Sequence, residues 1–150
     1  MKVTRLVEGL RQIGLWVFAV SAIVLASSIG RASDNRFPVD QEWLLDTVPM
    51  LPGKRMPSLT VGANGSAAIG LWCKDVTGRV ELGPEAIRIE PGALPDRLPQ
   101  WMSAGQCTPA RMQADEDVLA ALSQVTTWRR QGQILVLLGP TTLKFRPSDH

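Results

Sequence analysis

Short stretches in which apolar and polar side chains alternate recur along this chain, and a period of two is the mark of a strand with one dry and one wet face. Glu42-Trp43-Leu44-Leu45 is the first such stretch, and Ser58-Leu59-Thr60-Val61 is the second. Ala63-Asn64-Gly65-Ser66 carries the Asn-Gly pair that favours a tight primed turn, so Ala67 to Cys73 is expected to return as the other arm of a hairpin. Val76 to Leu82 and Ala86 to Glu90 repeat the alternation and stop at Gly83-Pro84 and Pro91-Gly92. Trp101 to Gly105, after a proline-rich loop, reads as a short strand that delivers Cys107. Gln133 to Leu138 is nearly continuous in apolar residues, which predicts a strand covered on both faces. Thr142 to Arg146 closes the series after Gly139-Pro140.

One segment of the same region has a helical period, between Thr108 and Arg130. Thr108 suits the N-cap and Pro109 the first helical position, where no amide donor is needed. Val118, Leu122 and Val125 form the apolar stripe, widened by Leu119 and Ala121. Arg129 and Arg130 then fall at the negative end of the helix dipole, and Gly132 supplies a left-handed stop. Asp115-Glu116-Asp117 reads as a partner of the dipole at a helix start, or as the opening of a second, main helix. The expected fold is α+β: about eight short, mostly antiparallel strands in a curved sheet, with one helix inserted before the last two. It occupies residues 42–147, and the polar residues 33–41, with Pro38, read as a linker.

Residues 1–32 follow another pattern. Lys2, Arg5 and Arg11 come first, then an apolar run from Ile13 to Ala26, then small and polar residues up to Ala32. That order is a secretion signal, with cleavage after Ala32 or after Ser28. An uncleaved anchor over residues 13–29 is the alternative, since that run approaches the roughly 17–25 residues a bilayer requires. The expected location is therefore periplasmic or secreted, or else the inner membrane, with membrane contact only through this segment.

Setting the leader aside changes the charge balance. The whole chain is +2, but residues 33–150 hold 12 basic and 13 acidic side chains, net −1. Such a balance offers no excess positive field to a phosphate backbone and argues against a nucleic-acid partner. Export also changes the reading of Cys73 and Cys107, the two cysteines, because thiols outside the cytoplasm meet oxidants. A disulfide between them is expected; two buried free thiols are the alternative.

Candidate chemistry is sparse. His150, the single histidine, is the last residue, so a serine or cysteine nucleophile lacks its usual base. Cys73, Cys107 and His150 are too few for a metal site, and the acidic cluster lacks the alternating oxygen ligands of a calcium loop. No catalytic residue, metal or cofactor is expected. Trp43, Trp72, Trp101 and Trp128 read first as packing residues. Trp72 and Trp101, each close to a cysteine, are the candidates for an exposed patch that takes an envelope protein or a small hydrophobic ligand.

Taken in order, these residues resemble the META domain family, also called HslJ-like. The resemblance is carried by Trp43-Leu44-Leu45, Ser58 to Val61, Asn64-Gly65, Leu71-Trp72-Cys73-Lys74 and Gly78. It continues through Gly105-Gln106-Cys107, then Met112, Glu116, Leu119, Leu122 and Val125, and ends with Leu135-Val136-Leu137 and Leu143-Lys144-Phe145. Trp72 and Lys74 depart from the glycine and asparagine of the family's first cysteine turn, and Gln106 from the small residue before its second cysteine. The resemblance implies an envelope protein linked to heat shock and novobiocin resistance, in a family with no established catalytic activity. A small inhibitor of a cell-wall-cleaving enzyme is the alternative.

Overall fold

Alternation becomes burial along most of the expected strands, Leu82 at 39% exposure being an exception. In a computed structural model of the chain, residues 36–149 are described. The leader, the start of the linker and His150 lie outside them. β1 (Glu42–Leu45), β2 (Ser58–Val61), β3 (Ser66–Gly70), β4 (Asp75–Leu82) and β5 (Ile87–Pro91) form an antiparallel meander. After α1 (Pro109–Ser123) come β6 (Thr127–Gln131), β7 (Ile134–Leu138) and β8 (Leu143–Pro147). β8 pairs with β1, so one sheet runs β5-β4-β3-β2-β1-β8-β7-β6.

That sheet curls until its edges nearly meet. Ala86 and Thr127 form an isolated antiparallel bridge, in which the Ile87 amide donates to Thr126 O at 3.0 Å and the Trp128 amide donates to Glu85 O at 2.9 Å. Closure hides the strand edges at that end and gives the interior one apolar lining. Trp43, Leu59, Ile69, Ile89, Leu135, Leu137 and Phe145 fill it, and Leu119 and Leu122 bring α1 onto it against β5.

The α+β layout with eight strands stands, but its last third differs. The helix ends at Ser123, and Thr126-Thr127-Trp128, a β-branched and aromatic run, opens β6. Three strands therefore follow the helix. Arg129 and Arg130 lie on β6 and not at a helix end. Gly132 does adopt a left-handed φ of 61°, yet it turns the β6–β7 hairpin. The expected strand at Trp101 to Gly105 is absent; a single 3-10 turn, Ala104–Gln106, delivers Cys107. Its amides are spent locally: Met102 donates to Pro99 O at 2.9 Å and Gln106 to Ser103 O at 3.0 Å.

Two smaller corrections concern turns and the linker. At the β2–β3 hairpin Gly65 alone has positive φ, at 79°, so the turn is not of the primed type that needs two such residues. Asn64 Oδ1 instead accepts from the Ser66 amide at 3.0 Å. Residues 36–41 are packed and not a free linker. Phe37 is buried with its ring edge-on to Trp128 at 5.2 Å, and the Asp40 amide donates to Val61 O at 2.8 Å.

Candidate functional site

The most heavily cross-linked part of the domain is the turn between β3 and β4, residues 71–74. The Leu71 amide donates to Lys74 O at 2.8 Å, and Cys73 is joined to Cys107 with the two Cα atoms 5.5 Å apart. This bond ties the turn to the start of α1, where Thr108 Oγ1 accepts from the Arg111 amide at 3.3 Å. Arg111 and Asp115 stand one helical turn apart on the buried face of α1, and each is only 1% exposed. Asp115 accepts from the Trp72 amide at 2.7 Å and from the Cys73 amide at 3.1 Å. Arg111 donates through Nη2 to Trp72 O at 3.0 Å and through Nη1 to Gln106 O at 2.5 Å.

The backbone on both sides of Trp72 is thus held by one helix, through opposite charges. Burial pushes the Asp115 carboxyl above its usual 3.8, opposed by the Cys73 and Trp72 amides and by the Arg55 and Arg111 guanidiniums. A carboxylate so fully engaged by backbone has no free face for a substrate.

Around this lock lies a small second core of Trp72, Cys73, Met102 and Cys107, against which Met50, Met56, Leu98 and Ala114 pack. Residues 46–57 reach it from one side; a β-carbon at Gly53 would stand 3.1 Å from Arg111 Nη1. Residues 92–107 reach it from another. Arg55 pairs with Asp75 and lies over the Trp101 ring, 4.1 Å from its centroid, while Lys74 Nζ donates to Pro95 O at 2.5 Å. Val48, Leu51, Trp101 and Met112, four of the six exposed large hydrophobics among the described residues, ride on the three segments gathered here.

The family model described as the META domain matches residues 37–149. The chain belongs to the META domain family. Two NMR structures share the fold. One, from Burkholderia xenovorans, is 21% identical with a TM-score of 0.51 and covers 75% of this chain and 84% of its own. The other is 17% identical with a TM-score of 0.50, covering 71% and 87%. No curated protein matches.

The residues singled out from sequence have separate fates in this META domain. Cys73 and Cys107 are bonded. Trp72 and Trp101 come to the same end but make no exposed pair: Trp72 is 3% exposed, beneath Arg111, and Trp101 is 55% exposed. Its peptide carries the lock, so Trp72 is drawn inward. The acidic cluster is not at a helix start, because α1 begins at Pro109 and runs unbroken through it. Asp115 faces in, while Asp117 accepts from Gln113 at 3.1 Å on the exposed side. Sequence reasoning missed Arg111 and Asp115 as partners. Their spacing of four before Leu119 and Leu122 was the available signal, hidden because charges occupied the positions where an apolar stripe was sought. Among the described residues, no three His, Cys, Asp or Glu side chains are grouped to hold a metal ion.

Proposed function

We propose that this META domain is exported and works without catalysis, holding a partner protein of the cell envelope against its disulfide end. One observation carries the reading: the exposed apolar residues Val48, Leu51, Trp101 and Met112 sit on segments fastened together by Cys73–Cys107, Arg111 and Asp115. A surface that is apolar yet held rigid loses little freedom on binding. Exposed tryptophan suits the centre of such a contact.

Heat-shock or novobiocin tolerance is the setting in which such binding would act. Recovery of an envelope protein by the wild-type chain, lost with Trp101→Ala combined with Leu51→Ser, is the expected result. Equal recovery by both would overturn the assignment of this surface. Intact mass of the protein isolated from the envelope tests export separately, since a processed chain lacks the leader.

A second reading has its own support. Val48 and Leu51, on residues 46–57, are 79% and 81% exposed, apolar side chains available to enter a cleft. The protein would then inhibit a cell-wall-cleaving enzyme. Slower hydrolysis of cell walls by lysozyme in its presence, relieved by Leu51→Ser, is the outcome that favours this alternative.

A further inference from the structure

On the outside of the sheet most strands carry long side chains, but β2, β3 and β4 meet there at small ones. Cross-strand register sets Ser58 beside Gly70 and Thr60 beside Ala68, then Gly70 beside Asp75 and Ala68 beside Thr77. These residues line a trough of about 360 Å³, which Glu42 borders beyond Thr60. Gly70 keeps one end of it low, since a β-carbon there would stand 2.7 Å from Ser58 Oγ and 3.3 Å from Arg55 Nη2. The hydroxyls of Ser58, Thr60 and Thr77 make no hydrogen bond to another described residue. Backbone groups of the same strands are used in the ladder, so an extended polypeptide finds no strand edge to join.

Trp101 stands at the Arg55 end of this trough. The Arg55 guanidinium pairs with Asp75 and lies 4.1 Å from the centre of the indole ring. Arg55 Nη1 is enclosed and has no hydrogen-bond partner, so this arginine is a seat for the indole and not a free donor. With one ring face on Arg55, the 55% exposure of Trp101 belongs to the opposite face and the rim.

We propose that Trp101 and the β1–β4 trough bind a β-linked glycan chain, one sugar stacking on the indole and the next lying over Ala68 between Thr60 and Thr77. A pyranose ring presents C–H groups on its flat side, which meet the electron-rich face of an aromatic ring. Its hydroxyls both donate and accept, as do those of Ser58, Thr60 and Thr77. Arg55 and Asp75 match each other and Glu42 adds a negative charge, so an anionic ligand is disfavoured and a neutral one suited. The site shares Trp101 alone with the partner-protein surface and does not rest on that reading.

Calorimetric titration of the full chain with chitotetraose, cellotetraose and maltotetraose tests this. The two β-linked chains separate N-acetylglucosamine from glucose as the source, and α-linked maltotetraose curves away from a flat platform. At least one β-linked chain is expected to bind, about tenfold tighter than maltotetraose. Trp101→Ala should weaken that binding about tenfold, the share of one aromatic stacking contact. Thr60→Val with Thr77→Val removes two hydroxyls and should weaken it about tenfold as well. Ala68→Gln, at an exposed position, fills the trough and should weaken it to a similar degree. Leu51→Ser should leave glycan affinity at the wild-type value, and Ala68→Gln should leave recovery of the envelope protein unchanged, so each reading can fail without the other. Absence of binding by both β-linked chains overturns the proposal. So do equal binding of maltotetraose, wild-type affinity in Ala68→Gln, and binding of gelatin in place of the oligosaccharides.

Discussion

The disulfide end and the β6–β8 face solve opposite problems with the same sheet. At the disulfide end, loops that have little regular backbone pairing are held by a covalent bond, a buried arginine and a buried aspartate. On β6–β8 the ladder itself supplies the order, Leu135 and Leu137 anchor the inside, and the outside carries charge over apolar side chains. Rigidity is therefore imported at one end and intrinsic at the other. The difference teaches where each perturbation should be felt.

The largest separation is expected from the disulfide. Cys73 and Cys107 are 34 residues apart, and opening a loop of that size should cost about 3–4 kcal/mol by the chain-entropy estimate. Cys73→Ser with Cys107→Ser should lower the denaturant midpoint accordingly. Hydrogen exchange should quicken first in residues 46–57 and 92–107, with β7 remaining among the slowest segments. Uniform acceleration through β7 would erase the distinction between imported and intrinsic order.

Asp115→Ala is the next largest. It leaves the Trp72 and Cys73 amides without their acceptor and Arg111 without its counter-charge, a loss of about 2–4 kcal/mol. Thermal or urea unfolding of the variant checks the magnitude. Its companion is Arg111→Met, which fills similar space but leaves Asp115 charged and buried. Removing both should cost less than the sum of the two single changes, because neither then strands the other.

How much of this was legible follows from where the chain obeys local rules. Strand positions were readable because Leu59 and Val61, or Ile87 and Ile89, alternate with polar neighbours and face one interior. The disulfide followed from having two cysteines in a chain whose first 32 residues read as an export signal. The end of α1 was not readable, since Val125 continues the helical spacing and is indeed buried, yet it lies past the last helical residue. Only closure of the sheet, through Ala86 and Thr127, decides that Thr127 to Gln131 is a strand. The lock at Trp72 was hidden for a related reason. Its contacts span about forty residues and use backbone amides, which no side-chain pattern announces. Trp72 read first as a packing residue and second as part of an exposed patch, and nothing local shows that Arg111 covers it.

Val136→Ala should cost about 1–2 kcal/mol, a modest cavity loss at a buried side chain of β7. Urea unfolding measures it, and a cost above that of Asp115→Ala would place the more fragile packing on β7. The same pair of variants also separates the two regions by pH, with the smallest effect of all. Burial holds the Asp115 carboxyl above 3.8 in the folded protein, so the folded state retains that proton more tightly than the unfolded chain. Protonation of Asp115 accordingly favours the fold. Its contribution is greatest below pH 3.8, declines as pH rises through the folded value, and is level above it. Asp115→Asn lacks this titration while keeping one oxygen for the Trp72 amide. Wild-type stability minus that of Asp115→Asn should therefore fall as pH is raised from about 3 to 7. Wild type minus Val136→Ala should stay constant over the same range, because β6, β7 and β8 carry no carboxylate. A difference for Asp115→Asn that grows with pH would mean that the amides and guanidiniums outweigh burial. The disulfide end would then be held most strongly as an ionic lock.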